Sequence, residues 1–187
     1  MLLRALRLIA GAAAGFLVWW YATLFYDGAL AFTAERLLAF DARLCGPHLI
    51  AEERKIEVHP RLCVAPTATI PADQLTYNII LLAALFAMRW RSITTFLISL
   101  FVVALTHVLS LAVSVESTYA ARNGTWSDKH YSLIEQNAWV STEFFWRLAG
   151  MFAIVFVCWW ITQAPIFPQP RASAAPRRGR AAARGRR

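Results

Sequence analysis

The sequence predicts a mainly α-helical integral membrane protein: a bundle of four transmembrane helices with a small extracytoplasmic α+β segment. Of its 187 residues, 58% are hydrophobic and the mean hydropathy is +0.46, whereas soluble domains are about 45–50% apolar. The apolar residues form long runs, and the short polar stretches between them hold nearly all the acidic residues. This alternation is typical of a chain that crosses a membrane several times.

Four apolar runs are candidates for crossing the hydrocarbon, which takes about 20 residues in a helix. The second run is the shortest, but the charged turn Arg89-Trp90-Arg91 separates it from the third, so the two together predict a helical hairpin. Trp and Tyr cluster near the ends of the runs, as expected of interfacial aromatic side chains, although core packing would use them too. The four runs cover residues 8–26, 75–88, 93–115 and 144–162.

The positive charges predict the orientation of these runs. Arg4 and Arg7 precede the first run, Arg89 and Arg91 lie between the second and third, and seven of the 19 Lys and Arg residues lie in 171–187. No acidic residue accompanies them, whereas charges on the other side are mixed. The Lys/Arg bias of short loops therefore predicts that both termini are in the cytoplasm. The richness in Ala and Arg and the compact loops favour a bacterial inner membrane.

The first run could instead be a cleaved signal peptide, because two arginines precede an apolar stretch that contains small residues. The bulky residues of 16–21 stand where a small-residue cleavage site would be required. We therefore favour an uncleaved membrane anchor.

Two segments, about 27–74 and 116–143, are predicted to face the outside. In the first, the apolar residues between Gly28 and Leu44 predict a short amphipathic helix lying along the membrane surface, and Gly46-Pro47 ends it. In the second, Asn123-Gly124 predicts a turn, followed by a short helix over 132–138.

An alternating pattern after this surface helix predicts a β-hairpin. Residues 48–51 can pair with a second strand through a turn at 52–55. Pro60 lies inside that second strand and would limit it to the edge of a sheet. The apolar residues that define it are Ile56, Val58, Leu62 and Val64.

Two cysteines in the first outer segment are the best chemical candidates. Cys45 and Cys63 are both on the side predicted to be oxidising, which favours a disulfide. By loop closure it would contribute about 3 kcal/mol to the free energy of unfolding.

Neighbouring side chains leave two alternatives to the disulfide open. Cys45, His48, His59 and Cys63 have the local spacing of a tetrahedral metal site. Alternatively, Cys63 could be an activated catalytic thiolate with His59 and Arg61, since alternate residues of a strand share one face. The first alternative predicts a metal and the second an enzyme of the transpeptidase or protease type using Cys63 or Cys45, whereas the disulfide predicts no cofactor.

The third run carries a stripe of small hydroxyl residues, which is typical of close contacts between membrane helices. His107 lies beside the stripe, and Asn78 on the neighbouring run could approach it. An ionisable residue inside a span also suggests a proton or substrate path, but the other spans offer no deep acidic partner. The stripe consists of Thr95, Ser99, Thr106, Ser110 and Ser114.

The chain divides into a membrane domain, residues 1–163, and a basic tail, residues 164–187. The tail is rich in Pro, Ala, Gly and Arg and has no hydrophobic period, so we expect it to be disordered in the cytoplasm. Its arginines favour anionic membrane lipids. No specific nucleic-acid binding is expected, because the charge belongs to a tail rather than to a folded face.

The layout of the chain resembles exosortase H-associated membrane proteins. The resemblance covers residues 1–163 and rests on the order of a first span, a cysteine-containing outer segment, a hairpin that begins Gln74-Leu75-Thr76-Tyr77-Asn78-Ile79-Ile80-Leu81-Leu82, and a last span after an aromatic-rich outer stretch. The resemblance implies a nonenzymatic accessory role beside an integral membrane, exosortase-like enzyme that processes proteins with a C-terminal sorting signal. It supplies no catalytic residues.

Overall fold

The structure, a computed structural model, describes residues 2–90 and 92–163 and is mainly helical, as the sequence predicts. A 3-10 turn over Ala42–Leu44 and a π-helical turn over Trp146–Gly150 complete the helical parts. The helices are α1 (Leu2–Leu38), α2 (Asp73–Thr76), α3 (Asn78–Met88), α4 (Ile93–Ala121), α5 (Thr125–His130), α6 (Leu133–Phe145) and α7 (Met151–Gln163). The strands are β1 (Pro47–Glu52), β2 (Lys55–Pro60) and β3 (Ala68–Pro71).

Three helices are long and apolar enough to cross a membrane, judged by length and composition. They are α1, α4 and the continuous helix that α6, the π-helical turn and α7 form over Leu133–Gln163. The remaining apolar run lies in the shorter stretch Asp73–Met88. The predicted second run is therefore helical, but shorter than the other three.

Helix α3 packs antiparallel to α1 through small residues. Gly11 lies against Ala87, and a β-carbon added to Gly15 would come within 2.7 Å of the β-carbon of Ala83. Glycines four residues apart lie on one face of a helix, so the two backbones can approach closely.

The beginning of α1, the turn between α3 and α4 and the end of α7 lie together. The side-chain amide of Gln163 donates to the carbonyl oxygen of Arg89 at 3.4 Å, and Gly11 lies beside the last turn of α3. We call this the arginine end of the molecule, since it carries Arg4, Arg7 and Arg89. The opposite end, which carries the strands, is the sheet end.

The sheet end contains a three-stranded antiparallel sheet in the order β1-β2-β3. A two-residue turn, Glu53-Arg54, joins β1 to β2 with positive φ angles of 44° and 67°, as in the tight turns that match the twist of a hairpin. Ile56 and Val58 on β2 are completely buried in a core shared with α1 and α4. The predicted hairpin is confirmed, with His48 opposite His59.

The helix predicted over about Gly28–Leu44 is confirmed as far as Leu38, but it is not a separate surface helix, because these residues continue α1 without a break. Leu30, Ala34 and Leu38 recur at helical spacing and are buried against the sheet and α4. A glycine inside a helix costs only about 1 kcal/mol. Burial of these apolar side chains contributes more than that to the stability of the folded chain.

The predicted second strand is too long and wrongly placed in the sheet. Pro60 is its last residue rather than an interior one, and β2 is the central strand because β3 pairs with its other edge. Leu62 and Val64 therefore lie outside the sheet. β3 was not predicted, since its four residues are too few for an alternating pattern to show.

The last apolar run begins earlier than its composition indicates. Ser132 and Glu135 form a capping box that starts α6, so the predicted short helix over 132–138 is confirmed but continues into the last run. The disordered tail predicted for 164–187 lies outside the described residues.

Candidate functional site

The disulfide predicted between Cys45 and Cys63 is present. Cys45 follows the 3-10 turn with a left-handed backbone, φ 54°, and Cys63 lies in the loop after β2. The Cα atoms are 5.6 Å apart, within the usual range for a disulfide. The bond fixes the loop after β2 to the segment that leaves α1.

The disulfide occupies both sulfur atoms that the metal site and the catalytic thiolate would each require. His59, Arg61 and Cys63 do not share a strand face, since β2 ends at Pro60. A thiolate nucleophile at either cysteine would require reduction of the disulfide.

The histidines of the proposed metal set pair with carboxylates instead. His48 Nδ1 lies 2.9 Å from Glu35 Oε2, and His59 Nε2 lies 3.1 Å from Glu57 Oε2. Within residues 2–90 and 92–163, no group of three or more His, Cys, Asp or Glu side chains is arranged to hold a metal ion.

Two pairs of exposed apolar side chains adjoin residues that the disulfide and Arg43 hold: one pair lies on either side of Cys63, and the other just before Glu135 at the start of α6. Leu62 and Val64, on either side of Cys63, are 81% and 99% exposed, and Leu133 and Ile134 begin α6 with 72% and 81% exposure. Large apolar side chains exposed together mark interaction sites on proteins. We call these four residues the sheet-end apolar surface.

Arg43 connects the two halves of this surface. Its guanidinium lies 3.2 Å from a carboxylate oxygen of Glu135 on α6 and 4.6 Å from the ring centre of Tyr131. Arg43 lies in the 3-10 turn Ala42–Leu44, and Cys45 follows that turn directly. The disulfide and this arginine therefore hold the 3-10 turn between the loop after β2 and α6.

A pair of carboxyl groups, Asp41 and Glu116, lies in a cleft beside Arg43. Both acids line this cleft, and the Tyr131 hydroxyl donates to Glu116 at 3.0 Å. Burial alone would raise the pKa of Asp41, but hydrogen bonds from Arg43 and Glu116 outweigh it and lower that pKa. The cleft of about 590 Å³ is otherwise mostly apolar and is lined by Leu37, Leu38, Phe40, Leu109, Ala112, Val113 and Trp139 as well as by the two acids.

Sequence reasoning missed this carboxyl pair. Asp41 and Glu116 each stand near the end of an apolar run, and nothing local connects them. Their meeting depends on the continuation of α1 to Leu38, which brings the residues after it beside α4.

A row of hydrogen-bonded polar side chains, called here the polar chain, joins α1, α3 and α4 between the arginine end and the sheet end. The Tyr26 hydroxyl lies 2.7 Å from His107 Nδ1, and His107 Nε2 bonds to Asn78 Oδ1. Because an amide oxygen only accepts, Nε2 carries the proton and Nδ1 accepts from Tyr26. The expected approach of Asn78 to His107 is thus present, and Tyr26 is the member that sequence reasoning missed.

The hydroxyl stripe of α4 serves mainly the helix itself. Ser99 and Ser110 donate to the carbonyl oxygens of Thr95 and Thr106, at 2.9 Å and 2.7 Å. Ser110 also accepts from the indole N–H of Trp146 at 2.6 Å. These small residues let neighbouring helices pack closely, as the helix-contact interpretation predicts.

Comparison of the chain with protein-family models, with curated proteins and with solved structures found no match.

Proposed function

We propose that the protein is a multi-pass protein of a bacterial inner membrane, with four crossing helices and both termini in the cytoplasm. Three helices have the required length and apolarity, and Asp73–Met88 supplies the short fourth crossing. The eleven acidic residues all lie between Asp27 and Glu143. The arginine end thus has the charge expected of the cytoplasmic side.

Its proposed role is that of a nonenzymatic partner of another integral membrane protein, in a protein-sorting system of the exosortase type. The observation that carries the role is the sheet-end apolar surface, above all Leu62 and Val64 beside the disulfide. The disulfide at Cys63 restrains the loop that carries Leu62 and Val64, so less backbone conformational entropy is lost when this loop docks. The resemblance of the layout to exosortase H-associated membrane proteins suggests the class of partner.

A photo-crosslinking amino acid at Val64 tests this role in native membranes. We expect a specific adduct with a multi-pass enzyme that acts on C-terminal sorting signals. The matched control places the same amino acid at Glu52, which is exposed at the end of β1. An adduct of the same yield at both positions, an adduct with lipid alone or no protein adduct would contradict the role.

The substitution L62S/V64S provides a second test. It removes two exposed apolar side chains without touching the core, so we expect unchanged folding and loss of the partner from detergent extracts. K129S is the matched control on α5, where an exposed polar side chain is removed. Retention of the partner by L62S/V64S would contradict a docking role for this loop.

A further inference from the structure

An apolar groove of about 660 Å³ lies between α1 and α4 in the half of the molecule near the arginine end. Helix α3 forms its floor through Ile79, Ala83 and Ala87, and Trp90 lines it at the arginine end. At the other end, α1 and α4 meet at Tyr26 and His107. The walls are formed by Gly11, Ala14, Gly15, Val18, Trp19, Ala22 and Thr23 of α1 and by Phe96, Leu97, Leu100, Phe101 and Ala104 of α4.

The groove follows from which residues the helices place there. Glycines and alanines of α1 let α3 approach, but they leave nothing to fill the space between α1 and α4. Helix α7 contacts α3 and α4 instead, so it does not cover the groove. The size is within the range of about 300–1,000 Å³ that small-molecule sites occupy.

Positive charge surrounds the arginine end of this groove. Arg7 lies one helical turn before Gly11 on the same face of α1, and Arg89 directly precedes Trp90. Since Gly11 and Trp90 line the groove, the two arginines lie near its arginine end. Both are exposed, and neither takes part in an ion pair with another described residue. The side chains that would neutralise them lie at the sheet end.

We propose that the groove binds an anionic phospholipid of the cytoplasmic leaflet, with an acyl chain between α1 and α4 and the phosphate at Arg7 and Arg89. Any lipid chain can cover an apolar groove, but unpaired arginines at its mouth select a headgroup with net negative charge. The choice of leaflet rests on the proposed orientation, whereas the site itself does not require the proposed partner.

The test measures lipid binding to the purified full chain in detergent by native mass spectrometry. Phosphatidylglycerol and phosphatidylcholine with identical acyl chains are compared. Two arginines near a headgroup contribute about 1 kcal/mol each, which corresponds to about thirtyfold tighter binding of phosphatidylglycerol. Equal binding of the two lipids would overturn the proposal.

Variants separate the two parts of the site. R7Q/R89Q should abolish the preference for phosphatidylglycerol, whereas R36Q/K129Q, which removes two exposed charges at the sheet end, should keep it. A14W should fill the groove and lower binding of both lipids, whereas A13W, at an exposed neighbouring position outside the groove, should not. If A14W and A13W bind phosphatidylglycerol equally, the chain does not lie in the groove.

Two further measurements distinguish other occupants. Glycerol phosphate, which has the anionic group but no acyl chain, should bind far more weakly than the lipid, and equal binding would show a phosphate site independent of the groove. A photo-crosslinker at Ala14 in membranes should yield lipid adducts, and a protein adduct instead would show that a partner helix occupies the groove. Because Val64 lies at the other end of the molecule, loss of lipid selectivity and loss of the partner are separate outcomes.

Discussion

The sheet end and the arginine end are built on the same helices, α1 and α4, but strands pack on these helices only at the sheet end. At the sheet end Leu30, Leu111 and Tyr119 lie in one core with the strands, and a disulfide and two ion pairs connect the loops and helices. At the arginine end glycine and alanine leave a groove, and the arginines have no described acidic neighbour. Stability is therefore expected to be concentrated at the sheet end, where binding would use exposed loop side chains, whereas the arginine end would bind through an open groove.

Replacing one buried side chain and one groove-lining side chain with alanine should give the largest difference in the free energy of unfolding between the two ends. Ile56 is completely buried on the central strand, so I56A should lower the free energy of unfolding by about 2–5 kcal/mol. Leu97 is 52% exposed in the groove wall, so L97A should lower it by less than about 1 kcal/mol. Denaturant unfolding in micelles measures both, and equal losses would contradict the contrast between the two ends.

Removing the disulfide should destabilise the sheet end by about 3 kcal/mol, the loop-closure value for a bridge of this size. C45S, C63S and the double variant C45S/C63S should lose the same amount, since each removes the same bond. C158S, on α7, is the matched control for loss of a thiol outside the bridge. A loss confined to one cysteine, in function and not in stability, would instead favour the thiol-enzyme interpretation.

The sequence predicted features that depend on neighbouring residues or on composition. The hairpin of β1 and β2 follows from an alternating pattern, and the pairing of Cys45 with Cys63 from the number of cysteines in one segment. The continuation of α1 past Gly28 could not be predicted, because the strands that bury Leu30 and Leu38 come later in the chain. The Asp41–Glu116 pair and the groove could not be predicted either, because both depend on where α1 and α4 lie close together and where they lie apart.

Breaking the polar chain tests whether the two ends are joined at Tyr26, His107 and Asn78. H107F and N78L should each cost about 1–3 kcal/mol, because each leaves a buried polar partner unpaired. The double variant should cost less than the sum, with a coupling energy of at least about 0.5 kcal/mol. S99A is the control, since that hydroxyl bonds to its own helix. Additive losses would show that the two side chains are not coupled.

Lowering the pH should reduce the free energy of unfolding by a smaller amount, because Asp41 at the sheet end becomes protonated. The pKa of Asp41 is lower in the folded protein than its ordinary value, because hydrogen bonds from Arg43 and Glu116 outweigh the opposing effect of burial. A lowered folded pKa adds stability above the unfolded pKa of about 3.9 and loses it as the pH falls through the folded value. Replacing Asp41 with Asn should therefore remove part of the stability loss below about pH 4, at most about 1 kcal/mol for a partly exposed pair. E52Q is the control at an exposed position, and an unchanged pH profile in D41N would show that the carboxyl pair does not contribute to the rigidity of the sheet end.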